Sequence, residues 1–344
     1  MIGPAAPSGR GSALADGGPG QYPAGMTHSR RTFLGGLAAL TVPSLTSKAA
    51  PPMLPVVDTH QHLWDLTKLR LSWIKPGDAA NPLAAPHTPK EYAAATAGLN
   101  VVKAVYMEVA VVPEDLQKEA DYVVGVCESK ATPMVAAVIG GAVGTPAFAA
   151  YVAPYKGHEF VKGVRKTLHG DDTPAGHALK PAFVKDVQLL GDFGLSFDLC
   201  VRPAELPDVL KLVTQCPGTR FILDHCGNAS TKFTPAEFAA WRTGMAALAA
   251  KPNVVCKLSG FIVNGGKKPN AAPYTADELA PIVNGTIDAF GLDRVMFGGD
   301  WPVVTMVTTY TQWLTVLQEI IASRPEADRR KILHDNAVKQ YGLA

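Results

Sequence analysis

Eight apolar, β-rich runs recur from residue 56 onward, each followed by a segment of helical period, and this alternation limits the fold more than any other feature. The runs are VVDTH (56–60), VVKAVYMEV (101–109), PMVAAVIGG (133–141), VKGVRKTL (161–168), LSFDLCV (195–201), TRFILDHC (219–226), NVVCKLSG (253–260) and RVMFGGD (294–300). Helices are predicted over 114–130, 145–155, 177–193, 204–215, 235–250, 276–290, 310–323 and 326–340. A strand that stays apolar along its length has both faces covered, which is the condition of a parallel sheet flanked by helices. Eight such units within about 290 residues predict an α/β fold, a single-domain (β/α)8 TIM barrel over 51–344. An open doubly wound sheet is the alternative, but no G-x-G-x-x-G follows any of the runs.

The first fifty residues read differently. Residues 1–25 are rich in Gly, Pro and Ala with little to bury, so they are expected to be disordered, or to precede a true start at Met26. Residues 26–50 pair Arg30 and Arg31 before an uncharged stretch and end in small residues near Ala49. This segment resembles a twin-arginine export signal, with the S-R-R-x-F-L core at Ser29 to Leu34. That resemblance implies the twin-arginine export machinery as a partner, a periplasmic or exported location, and no stable membrane insertion once the leader is removed. The net charge is +2, from 32 basic and 30 acidic side chains with no basic run, so no nucleic-acid partner is expected. Five cysteines form no C-x-x-C pair and are expected to be buried free thiols. Oligomeric state is not legible in the chain.

In a barrel of this kind the reacting groups gather at the carboxyl ends of the strands. The polar residues fall there: His60 and His62 on the first run, Glu108 on the second, Arg165 and then His169 on the fourth. Asp198 follows on the fifth, His225 on the sixth, Lys257 on the seventh and Asp300 on the eighth. Residues two apart on an extended segment project alike, so His60 and His62 can converge on one metal ion or one substrate atom. The same count turns Arg165 into the mouth and Lys166 toward the helices, and places Glu108 on the face of Tyr106 and Ala104. Asp300, on the last strand, stands beside the first in a closed barrel.

Six motifs occur in order: DTHQHLWD, GVRKTLHG, SFDLCVRPAELPDV, TRFILDHCGN, NVVCKLSG and VMFGGDWPV. With them the chain from Pro55 to Ala344 resembles the amidohydrolase superfamily, in particular its branch of sugar-acid and pyrone-dicarboxylate lactonases. The resemblance implies a hydrolase that opens a small lactone, with Asp300 as the base for a water and His60, His62 and His225 lining the site. Arg165 and His169 are candidates for gripping a substrate carboxylate or hydroxyl, since a guanidinium meets a carboxylate in a two-bond fork. Trp64, Glu108, Lys257 and Trp301 are candidate substrate contacts, and Asp58 and Asp224 candidate supports for the imidazoles. Tyr274 sits in a polar loop long enough to serve as a lid. Superfamily members with two metals carry a lysine on the fourth strand and a histidine on the fifth, where this chain has Arg165 and Asp198, which argues against a binuclear centre. One Zn²⁺ or other divalent ion held by His60, His62, Asp300 and Glu108 remains open, as does no metal at all. Two further functions stay open: a metal-dependent decarboxylase of an aromatic or unsaturated acid on the same barrel, and a non-catalytic ligand-binding barrel.

Overall fold

A computed structural model describes residues 53–75, 77–78, 80–267 and 271–343; the expectations about the leader lie outside them. The strands are β1 (Val56–Gln61), β2 (Val101–Met107), β3 (Met134–Gly140), β4 (Val161–Thr167), β5 (Ser196–Cys200), β6 (Arg220–Leu223), β7 (Val254–Leu258) and β8 (Val295–Phe297). They pair in chain order, all parallel, as the eight runs predict. The ring is joined where β8 returns to β1: Asp300 N donates to His60 O (2.7 Å) and His62 N to Trp301 O (2.8 Å). That seam lies at the end of the barrel where the candidate residues collect.

Two apolar layers follow from strand alternation. Val56, Ala104, Tyr106, Ala137, Ile139, Val164, Phe197, Leu199, Phe221 and Leu223 belong to the large core beneath the helices. Val57, Val105, Met107, Ala136, Val138, Ile222, Val255 and Met296 form a second, interior core, into which the chain end inserts Tyr341 and Leu343. The barrel is therefore plugged by its own C-terminal segment, which runs through a helix (Glu326–Arg330), a π turn (Lys331–Asp335) and a further helix (Asn336–Tyr341). All five cysteines are buried and free.

Departures from the sequence reading are local. The helix Pro89–Ala95 was not anticipated, although T-P-K-E announces it: Thr88 caps Lys90 N while Glu91 reaches back to Thr88 N. Tyr106 and Ala104 face the helices, so the face assigned to Glu108 was wrong. β2 ends at Met107, and Glu108 reaches the mouth because the chain turns after the strand. A register irregularity between Asp58 and Gln61 likewise breaks alternation in β1. Asp58 can thus accept from Tyr92 OH (2.8 Å) and Tyr310 OH (3.0 Å) among the helices, while His60 faces the barrel axis. Among the described residues, no helix is long and apolar enough to cross a membrane.

Candidate active site

A cavity of about 660 Å³ opens at the carboxyl ends of the strands, and His62, Arg165, His169, His225 and Asp300 line it. Asp300 Oδ1 lies 3.4 Å from His62 Nε2 and 3.7 Å from His60 Nε2. His60 is wholly buried directly under this point, with its ring 4.9 Å from that of His62 and 4.4 Å from that of His225. Strands β1, β6 and β8 therefore meet around a common floor, as the chain order of the sheet requires only for β1 and β8.

Several of these positions hold backbone that L residues rarely adopt. His225, Cys226, Asn228 and Asp300 all have φ between 52° and 56°. Such conformations cost on the order of 1–3 kcal/mol each and survive where the surroundings over-determine them. Here they turn the His225 and Asp300 side chains off the strand ends and into the cavity. Gly260 serves the same arrangement, because a Cβ at that position would collide with the His225 imidazole. His225 Nδ1 is held by Ser259 Oγ at 2.9 Å.

Beneath the floor runs a chain of buried charges. Lys257 Nζ sits 2.6 Å from Asp198 Oδ2, 3.1 Å from Asp224 Oδ1 and 3.4 Å from His60 Nδ1. Asp224 also faces His60 Nδ1 (3.3 Å) and Arg165 Nη1 (3.3 Å). Arg165 Nε donates to Glu108 Oε1 (2.7 Å), and its Nη1 meets His60 Nε2 at 3.2 Å. Burial drives the His60 pKa well below its ordinary value in spite of Asp224, so the ring is neutral. Burial works against both charges of the Lys257–Asp224 pair. Attraction prevails: Asp198 and then Asp224 hold the ammonium above its usual pKa, and Lys257 holds the Asp224 carboxyl well below the carboxylate range. Burial also lowers the pKa of His225, opposed by Asp300 and Asp224.

The donor set fits a cation. His62 Nδ1 faces two carbonyls, Met107 O (3.0 Å) and Glu108 O (3.1 Å), which only accept, so that nitrogen carries the proton. Its Nε2, the nitrogen left for a ligand, faces Asp300 Oδ1 at 3.4 Å, and His60 Nε2, which accepts from Arg165 Nη1, lies 3.7 Å from the same oxygen. Two imidazole nitrogens and a carboxylate oxygen around one point are ligand types that a divalent cation such as Zn²⁺ takes. His60, His62 and Asp300 offer ligand atoms within 4.8 Å of one another, as do His60, Asp224 and His225.

Not every anticipated residue reaches the cavity. Lys257 is fully buried and lies under the floor, because it stands inside β7 rather than past its end. Trp301 turns to the far side, against His87 (5.3 Å between centroids) and Tyr92 (5.5 Å). Glu108 lines the cavity, but its oxygens are taken by Arg165 Nε and Ala110 N (2.6 Å), and it is not part of either ligand group. Asp224 supports His60 rather than the adjacent His225, and Asp58 binds backbone and tyrosines rather than an imidazole. Tyr274 is buried, and Val263 and Asn264 of its loop line the cavity instead. Trp64 does line it, its Nε1 fixed to Leu83 O and Ala85 O. Lys166, expected among the helices, lines it too and pairs with Asp172 at 3.2 Å. Sequence reasoning assigned no role to Ser259, Trp73, Asn228 or Asn264, although Ser259 stood in NVVCKLSG and Asn228 in TRFILDHCGN.

Comparison with known proteins places this geometry. L-fucono-1,5-lactonase of Burkholderia ambifaria is 29% identical over 296 residues, which is 83% of this chain and 95% of that protein. An amidohydrolase from Burkholderia multivorans, solved with bound zinc, superposes with a TM-score of 0.74 at 24% identity, over 84% of this chain and 100% of that one. The 5-carboxyvanillate decarboxylase of Sphingomonas paucimobilis shares the fold at a TM-score of 0.60 and 14% identity, over 85% of this chain and 100% of that one. The family model described as amidohydrolase matches residues 57–343, and the chain belongs to that family.

Proposed function

We propose that the protein opens a small lactone, of the sugar-acid type, by hydrolysis. The observation that carries the reading is the convergence of the Asp300 carboxylate, the Nε2 atoms of His60 and His62 and a third imidazole, His225, on one region of the cavity floor. The identity with a lactonase named for L-fucono-1,5-lactone supports the substrate class. Asp300 accepts a proton from water as the water oxygen bonds to the lactone carbonyl carbon. The ring C–O bond then breaks, and Asp300 returns the proton to the departing alkoxide, leaving a hydroxy acid. With the Ser259 hydroxyl donating to His225 Nδ1, Nε2 of that ring carries a proton and donates to the carbonyl oxygen as negative charge develops there. His60, His62 and Asp300 would hold a divalent ion, which when bound supplies polarisation of the carbonyl and a more acidic water. Arg165, tied to Glu108 and Asp224, fixes the electrostatics of the floor rather than reaching freely for substrate. The leader with Arg30 and Arg31 supports an exported enzyme.

The test is turnover of an aldonolactone and pyrone panel, with and without added Zn²⁺. Wild type opens at least one member, and Asp300→Asn lowers kcat by about a thousandfold or more, the scale of losing a base that acts only in the transition state. CO2 release from a hydroxybenzoate with every lactone untouched would move the site to decarboxylation. Undiminished turnover in Asp300→Asn would remove the assigned base.

A further inference from the structure

Three large apolar side chains are exposed among the described residues, Met53, Trp73 and Val102, and of these Trp73 lines the cavity. It is 43% exposed, yet it is fixed in place: its Nε1 donates to Val109 O at 2.8 Å, and Trp64 packs against it edge-on at 5.7 Å. An anchored indole left open to water inside a cavity is surface awaiting cover, and a flat ring with an apolar face covers it best.

Two asparagines line the same cavity. Asn228 Nδ2 donates to Val201 O (2.8 Å), and Asn264 Nδ2 donates to Asn228 O (3.2 Å) and Ala229 O (3.1 Å). Backbone carbonyls only accept, so these contacts fix which end of each amide is nitrogen. Both Oδ1 atoms are left without a partner among the described residues. Carbonyl oxygens take hydrogen bonds from hydroxyls and repel carboxylates. Charge points the same way: the cations lining the cavity are Arg165, held by Glu108 and Asp224, and Lys166, held by Asp172, so neither stands free for a substrate anion.

We infer that Trp73, Asn228 and Asn264 form a recognition subsite for an uncharged, hydroxylated ring, stacked by its apolar face on the indole and read through its hydroxyl donors by the two amide oxygens. This rests on the lactone reading of the site and narrows it: aldonolactones are taken, and lactones carrying a free carboxylate are disfavoured.

The experiment compares kcat/KM of the full chain for an aldono-1,5-lactone, for δ-valerolactone, which has no hydroxyls, and for an aldarolactone with a free carboxylate. The aldonolactone is expected to lead δ-valerolactone by about tenfold or more, the scale of one or two hydrogen bonds. Asn264→Ala, at an exposed position, should cut that lead about fivefold or more. Trp73→Ala should raise KM about tenfold, the loss falling on KM rather than kcat, and Trp73→Phe should restore most of it. A lead near unity in wild type, a lead that survives Asn264→Ala, or equal use of the aldarolactone overturns the inference while the lactonase reading stands. Should no lactone be opened, that reading fails and binding decides the subsite by itself: titration with a methyl glycopyranoside should quench tryptophan fluorescence saturably, with the quench lost in Trp73→Phe. No quench in wild type, or a quench retained in that variant, overturns the inference.

Discussion

Lys257→Met tests the electrostatic floor directly, because methionine nearly keeps the volume and removes only the charge. Lys257 is fully buried, and its ammonium lies 2.6 Å from Asp198 and 3.1 Å from Asp224, both also fully buried. Breaking a buried pair by deleting one partner costs about 3–5 kcal/mol, most of it the uncompensated charge left behind. At roughly 2–4 °C per kcal/mol, the thermal midpoint at pH 8 should fall by at least about 6 °C. Acid should narrow the gap. Burial, against the pull of Lys257, already pushes Asp198 from an ordinary 3.8 up to about 6. An acid raised in this way binds its proton more tightly folded than unfolded, so its contribution to stability is complete below 3.8 and is lost as pH climbs through 6. Without Lys257 the folded value climbs further, and the loss extends to higher pH. Melting wild type and variant by circular dichroism from pH 5 to pH 8 should therefore show a deficit that is greatest at pH 8 and shrinks toward pH 5, where Asp198 is neutral and needs no partner. A deficit of less than about 1 kcal/mol, or one that is flat across this range, would refute the reasoning, since packing alone has no such pH signature.

Other outcomes follow from single contacts. Gly260→Ala places a methyl into the His225 ring, so kcat should fall by about a hundredfold, the scale of a misplaced reacting group, and an unchanged kcat would show that His225 position does not matter. Tyr341→Ala empties the plug of the interior core and should cost about 3–5 kcal/mol by thermal unfolding; a loss under 1 kcal/mol would mean the strands close without it. Elemental analysis after dialysis should find about one divalent ion per chain, with His62→Ala lowering retention, while equal retention in wild type and variant would place any ion elsewhere.

Much of the architecture is legible because parallel strands buried on both faces leave near-continuous apolar runs such as MVAAVIG. His62, His225 and Asp300 were legible for the same reason: each stands past a strand end, where the fold leaves side chains over the axis, while His60, one residue inside β1, lies beneath them. Depth was not. Lys257 and Asp300 both read as strand-end polars, yet Lys257 precedes the end of β7 by one residue and Asp300 follows the end of β8 by three. At about 3.3 Å per residue, that places one beneath the floor and the other upon it. Trp301 could have been excluded by alternation, since its neighbour Asp300 already points inward. Trp73 had no such signal, because it belongs to the irregular connection after β1, where neither period applies and only tertiary contacts decide which side chains return to the cavity.

The two halves of the site, ligand atoms above and ion pairs below, are parts of one charge balance. Four carboxylates, Glu108, Asp198, Asp224 and Asp300, face two cations, Arg165 and Lys257, and burial keeps His60 neutral. Uncompensated charge in a buried site is costly, and the system answers it by taking up a proton or a cation. Asp198, at about 6, offers the proton only below neutrality. At pH 7.5 the remaining excess is negative, and a divalent ion at His60, His62 and Asp300 would offset it. Lys257, on Asp198 and Asp224, and an ion at Asp300 would then draw on one buried negative charge, so Lys257→Met should tighten Zn²⁺ binding even as it destabilises the metal-free protein. One charge removed a few ångströms away, at an effective dielectric near 20, is worth a few kcal/mol before relaxation, so at least about a tenfold lower Kd is expected by chelator competition. If Kd stays unchanged or rises, the ammonium is not part of the balance at the metal-ligand groups, and the floor and the ligand set would have to be treated as independent structures.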